Sequence, residues 1–287
     1  MGTQFILLCG MLGIAFSLQA QVMETFGDSV TAGTLSKTAV TETTYKSIQA
    51  IRSDLAKYVM LGKESYLTKY GSHENAWPAK LQQLIGVGNV NELHNYAVPR
   101  AVTADLLKHV KGASKTTHET MAFFFMGHND ICDSGLTPEQ QAEKFVREYK
   151  TALLEWDKSR ENSVAYIMDV GELHEMISTL NGYVWQKDTD KSYTCNDTWE
   201  NFIPFCPAYS KLAKANKINE VVGKQIAAMN GSIDALIQDL NKSGVKNTFK
   251  HVKFWDTFHP EYSASDCFHL SQKGQQSLAE HVYKAIN

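Results

Sequence analysis

Residues 120–126 read Thr-Met-Ala-Phe-Phe-Phe-Met, and the last six are all apolar. A strand with no polar face has to be covered on both sides, which is the situation of a central strand in a parallel sheet packed between helices. The run leads directly into Gly127-His128-Asn129-Asp130, a polar turn. Four other stretches read as strands of the same sheet, at 21–26, 90–98, 162–170 and 248–255. Segments of helical spacing separate them. That alternation predicts one α/β domain, a three-layer α/β/α sandwich around a parallel five-stranded sheet.

The helical segments carry their own signals. Tyr45, Ile48, Ile51, Leu55 and Tyr58 predict a helix over 41–61. Residues 66–73 read as a loop. Asn75-Ala76-Trp77-Pro78 opens a helix with Leu81, Leu84 and Ile85 inward and Gly86 as its stop. Further helices are predicted over 103–110, over 138–156 with Pro138 in the first turn, over 211–240 and over 270–286. In the 211–240 helix Ile218, Val221, Val222, Ile226, Ile233, Leu236 and Ile237 face inward. Residues 171–209 contain Tyr183, Trp185, Tyr193, Trp199, Phe202 and Phe205 among polar residues, without a period. This stretch reads equally as a core flap or as a lid over an acyl chain.

Composition excludes some partners. The 287 residues carry a net charge of −3 and no dense Lys/Arg run, so nothing points to nucleic acid. Residues 5–16 are apolar and are followed by Ser17-Leu18-Gln19-Ala20, a pattern of a cleaved signal peptide over 1–20 with the domain in 21–287. No Lys or Arg precedes Lys37, so the basic start of a signal is missing, and a buried N-terminal helix is the competing reading. Cys132, Cys195, Cys206 and Cys267 form an even set, as expected of a secreted or periplasmic protein. Cys195 and Cys206 are close in sequence and are expected to pair, which leaves Cys132 for Cys267.

Chemistry concentrates in four short segments, each just past a strand: Gly27-Asp28-Ser29, Asn95-Tyr96-Ala97-Val98-Pro99-Arg100, Gly127-His128-Asn129-Asp130 and Asp266-Cys267-Phe268-His269. Ligands bind at the carboxyl ends of strands in such sheets. Singly, each segment has a bland explanation. Gly-Asp-Ser is a common turn, Asn129 a strand-end residue, His269 a surface histidine and Asp266 a helix-start acid. Together they supply a hydroxyl nucleophile, a base of suitable pKa and an acid three residues from that base to orient it.

In this order, the four segments resemble the SGNH (GDSL-type) hydrolase superfamily over nearly the whole chain beyond residue 20. Asn129-Asp130-Ile131-Cys132 and Asp266-Cys267-Phe268-His269-Leu270-Ser271 look most like its phospholipase B branch, and Trp77 with Asn95-Tyr96-Ala97-Val98 is similar to GDSL lipases generally. The resemblance implies a flavodoxin-like sheet and a Ser29–His269–Asp266 triad without metal or cofactor. It also implies an oxyanion hole made of the Ser29 N–H, the Asn129 amide and the N–H at position 100. The family has glycine at that last position. Arg100 keeps the N–H, but a positive φ there would strain it, and its guanidinium is able to pair with an anionic substrate group.

The implied partner is a small-molecule or lipid ester, in particular a lysophospholipid acyl ester, with transient membrane-surface contact and no obligate protein partner. A short-chain O-acetyl esterase, a thioesterase or an acyltransferase would use the same residues. His128 and His259 are read as structural. A zinc hydrolase built from His128, Asp130, His259, Asp266 and His269 lacks a metal-binding spacing. An α/β-hydrolase would need Gly-x-Ser-x-Gly. A binding protein on a dead scaffold would not require Ser29, Asp266, His269 and Asn129 all to be intact.

Overall fold

A computed structural model describes residues 20–38, 71–86, 88–116, 118–132, 135–180, 182–183, 194–195, 197, 217–253 and 258–287. The expected helix over 41–61 and most of the aromatic stretch lie outside these residues, as does most of the signal segment.

Five parallel strands form one sheet in the order β2-β1-β3-β4-β5. They are β1 (Val22–Gly27), β2 (Glu92–Asn95), β3 (Thr120–Phe125), β4 (Val164–Met168) and β5 (Thr248–Val252). Every residue of β1 and β3 is buried. Their side chains alternate between two apolar layers, so the expected two-sided covering is what the structure has. On one face Phe26, Ala122, Phe124, Ile167 and Phe249 pack with α2 (Leu106–Gly112), α3 (Pro138–Lys158), α4 (Leu173–Leu180) and α5 (Lys224–Lys242). On the other, Met23, Phe123, Phe125 and Tyr166 pack with α1 (Trp77–Ile85) and α6 (Gln272–Ile286). The fold is thus an α/β/α sandwich with flavodoxin-like strand order.

Local chemistry sets the helix ends. Thr137 caps α3, accepting from the Gln140 N–H while Gln140 returns a bond to the Thr137 N–H. Ser271 caps α6 through the Gly274 N–H, so this helix begins at Gln272 rather than at 270. The segment expected as a helix from 103 starts with a 3-10 turn, Thr103–Asp105, before α2. A further helix, α4, occupies part of the stretch that showed no period. Before α5 a π-helical turn, Asn219–Gly223, shifts the apolar stripe, burying Val222 and leaving Val221 exposed, contrary to the inward reading of Val221.

The cysteine pairing also differs from expectation. Cys195 is bonded to Cys267, with Cα atoms 5.8 Å apart, and Cys132 is also disulfide-bonded. Neither the Cys195–Cys206 nor the Cys132–Cys267 pair is therefore present. Short sequence separation is the wrong guide, because a bridge needs Cα atoms within about 7 Å and it is Cys267, 72 residues away in sequence, that meets this condition for Cys195.

Candidate active site

β1 lies between β2 and β3 and ends at Gly27. A Cβ at that residue would lie 2.2 Å from the Thr31 hydroxyl, so only glycine permits the close turn that follows. The chain then bends through hydrogen-bonded turns, with Ala32 N–H on Asp28 O at 3.0 Å and Thr34 N–H on Ser29 O at 2.9 Å. Asp28 Oδ1 accepts the Val30 N–H at 2.9 Å, an Asx turn that fixes the backbone on both sides of Ser29. Gln275 of α6 accepts the Trp77 N–H at 2.8 Å and donates to Val30 O at 2.9 Å, tying the turn to both helices on that face.

The loop before α6 comes to meet this turn. His269 Nε2 lies 2.8 Å from Ser29 Oγ, and His269 Nδ1 lies 2.5 Å from Asp266 Oδ2. The other carboxylate oxygen of Asp266 accepts the Phe268 and His269 N–H groups at 3.0 and 2.9 Å. Cys267 between them takes a left-handed φ of 60°, which folds acid and base back toward each other. Ser29 is only 7% exposed.

The electrostatics favour an ion pair. Burial opposes the charge on Asp266, but the facing His269 and the two N–H donors outweigh it and hold the carboxyl below its ordinary value. Burial likewise opposes protonation of His269. Asp266, by charge and hydrogen bond, and then Asp28, by charge, outweigh it and raise the imidazole above its usual 6.5.

Arg100 sits in a turn beside the end of β1. Val98 N–H donates to Gly27 O at 3.0 Å, and Ala101 N–H closes the turn on Val98 O at 3.1 Å. Pro99 in its first central position and Arg100 at φ 70° in its second make the type II pattern, whose second position favours glycine. Asn129 joins this turn from the β3 side, its amide donating to Ala101 O at 3.0 Å. Next to it, Asp130 accepts the Thr103 N–H and hydroxyl and the Lys144 ammonium, while Glu148 also bonds Thr103 and Lys144.

Ser29, Asp266 and His269 are thus one hydrogen-bonded chain, with Asn129 and Arg100 linked to each other through Ala101. His259 is exposed against Tyr262. His128 is buried, and sequence reasoning missed its partner. Its Nδ1 is 3.1 Å from Asp28 Oδ2 and its Nε2 accepts the Gly171 N–H at 3.0 Å. Its position inside the Gly127–Asp130 segment was the available signal. Among the described residues no three His, Cys, Asp or Glu side chains group so as to hold a metal ion.

A parallel α/β sheet with a serine–histidine–aspartate chain at the carboxyl ends of its strands is a framework on which serine hydrolases, ester hydrolases among them, are built. The protein belongs to the GDSL-like lipase/acylhydrolase family, whose model matches residues 23–282. Among solved structures, a carbohydrate esterase with divergent catalytic and non-catalytic binding functions superposes at TM-score 0.53 and 12% identity, covering 93% of this chain and 68% of its own. A family two carbohydrate esterase from Clostridium thermocellum, an active-site mutant, superposes at 0.52 and 14%, covering 93% and 63%. The psychrotrophic esterase EstA from Pseudoalteromonas gives 0.46 and 12%, covering 93% and 96%. The chain spans about two thirds of the length of the two carbohydrate esterases. No curated protein matches it by sequence.

Proposed function

We propose that the protein hydrolyses carboxylic esters through an acyl-enzyme on Ser29, with His269 as base and Asp266 as its orienting acid. The observation that carries this reading is the 2.8 Å contact between His269 Nε2 and Ser29 Oγ, made across 240 residues of sequence. Nε2 takes the hydroxyl proton as Oγ bonds to the ester carbonyl carbon, while Asp266 holds the Nδ1–H. The tetrahedral oxyanion is received by the N–H groups of Ser29 and Arg100 and by the second amide hydrogen of Asn129, the first being used on Ala101. The imidazolium then protonates the departing alcohol. Water, activated by the same histidine, attacks the acyl-enzyme and regenerates Ser29.

The substrate proposed is a lipid or lysophospholipid acyl ester, on the likeness of the 129–132 and 266–271 segments to phospholipase B proteins. A second reading, an O-acetyl group on a carbohydrate, is favoured by the two esterases whose folds overlap at 0.53 and 0.52. Export to an oxidising compartment is proposed on the Cys195–Cys267 bond. Among the described residues no helix is long and apolar enough to cross a membrane.

The test is labelling of the purified protein with a fluorophosphonate, with Ser29→Ala as control, followed by an ester series from acetyl to long acyl chains. Labelling confined to Ser29 and rates that grow with chain length support the lipid reading. A sharp preference for acetate favours the carbohydrate one. No labelling of the folded protein rejects both.

A further inference from the structure

The nucleophile turn contains a buried carboxylate that the reaction just described does not use. Asp28 is fully buried, immediately before Ser29, with Oδ1 on the Val30 N–H and Oδ2 on His128 Nδ1. A backbone N–H only donates, so the bond from Gly171 N–H makes His128 Nε2 an acceptor. The ring proton is then on Nδ1 and points at Asp28. Phe125 and the His128 ring pack edge to face, with centroids 4.9 Å apart, and Gly127 is held against Val170, where a Cβ would meet a methyl at 2.6 Å. Histidine, strand exit and carboxylate therefore form one rigid unit.

Resting on the acyl-enzyme reading, we propose that His128 is a positioning residue that holds Asp28 beneath the site as a second carboxylate for the imidazolium formed on His269. Asp28 immediately precedes Ser29, whose Oγ lies 2.8 Å from His269 Nε2, so its buried carboxylate stands one residue from the atom that the ring bonds, and it joins Asp266 in favouring the charged ring. His128 contacts Asp28 directly, and the charges of Asp28 and Asp130 add to the burial that raises the phenol of Tyr149. Asp266 bonds the ring directly and sets its tautomer. Asp28 makes no bond to it and acts through space, favouring the charged ring that exists only once Ser29 has given up its proton. Differential stabilisation of that state lowers the barrier without tightening substrate binding.

Two measurements on the full chain test this. The first is nitrogen NMR of the imidazoles in the wild-type protein at pH 8, His128 being assigned by the signal lost in His128→Asn. An Nδ1–H, Nε2-acceptor tautomer is expected, and an Nε2–H ring would overturn the proposal whether or not any ester is hydrolysed. The second compares Asp28→Asn, His128→Leu and His128→Asn with wild type, by NMR titration of His269 and by kcat/KM against pH. Asp28→Asn is expected to lower the His269 titration and to reduce kcat at least tenfold with KM changed less than about twofold. His128→Leu is expected to behave alike, while His128→Asn, whose amide still donates to Asp28, recovers most of the loss. An unmoved His269 titration in folded Asp28→Asn overturns the proposal. If wild type neither labels at Ser29 nor hydrolyses esters, the function reading fails on its own, and the titration still decides whether Asp28 acts on His269.

Discussion

Asp130 accepts both donors of Thr103, the backbone N–H at 2.9 Å and the hydroxyl at 2.6 Å. This clamp joins the segment that carries Asn129 to the segment that carries Arg100. Burial raises the Asp130 pKa, and the bonds from Thr103 and Lys144 counter it only in part. Asp130→Ala would leave the Thr103 N–H without an acceptor, costing about 1–3 kcal/mol of stability. A drop in kcat of roughly tenfold or more with little change in KM is expected if both oxyanion donors slacken. Unfolding curves and steady-state kinetics on the same preparation separate the effects; full kcat in a destabilised variant would make the clamp structural only.

In the proposed mechanism His269 must be neutral to accept the Ser29 proton. Because Asp266 and Asp28 raise its pKa against the burial that lowers it, kcat/KM should fall with acid along a limb lying above pH 6.5. Stability runs the other way. The raised His269 contributes stability that is present below 6.5 and lost as pH climbs through its folded value, whereas the lowered Asp266 contributes above its ordinary 3.8 and fades as pH falls through its folded value. Activity and melting temperature followed together across pH 5–9 check this; an acid limb below 6.5 would contradict it.

Arg100 occupies a backbone conformation suited to glycine, but the donor proposed for it is its N–H. Arg100→Gly should therefore leave kcat/KM on a neutral short-chain ester within about threefold, and shift stability by less than about 1 kcal/mol as relief of the left-handed φ offsets the added freedom of the unfolded chain. A tenfold loss on that neutral ester would show the guanidinium itself to be needed.

Glu24, in the middle of β1, is fully buried with Arg160, and Trp156 donates to the same carboxylate at 3.0 Å. Arg160 also caps the carbonyls of Ser114 and Ser159. Removing one partner strands a charge, so Arg160→Met should cost about 3–5 kcal/mol, and pairing it with Glu24→Gln should recover much of that. Chemical denaturation of the four proteins of the cycle provides the measurement.

Much of the architecture was readable because apolar runs and helical spacing are local signals. The runs around Phe124 and Ile167 place β3 and β4 to within a few residues, and Ser29 does stand just past a strand, whereas Asp266 and His269 are legible from their own three-residue spacing and lie in the loop that leads into α6, well beyond the end of β5. What escaped depends on contacts between distant segments. The Asp28–His128 bond spans 100 residues, the Cys195–Cys267 bond joins segments that no spacing relates, and Val221 is turned outward by a π turn that a 3.6-residue period does not contain. Arg100 is visible in the sequence as a departure from the family's glycine, but that Pro99 and the Ala101–Val98 bond hold it at positive φ is a fact of the turn.

The site also has an order of arrival. Ser29 leaves the first strand, while His269 and Gln275, which fastens the Ser29 turn to α1, come at the opposite end of the chain. On the proposed mechanism, Ser29 emerges from synthesis early and stays without its histidine until α6 has docked on the sheet. A nascent chain would then carry an inert serine, and labelling at Ser29 would report that the first and last segments of the domain have come together.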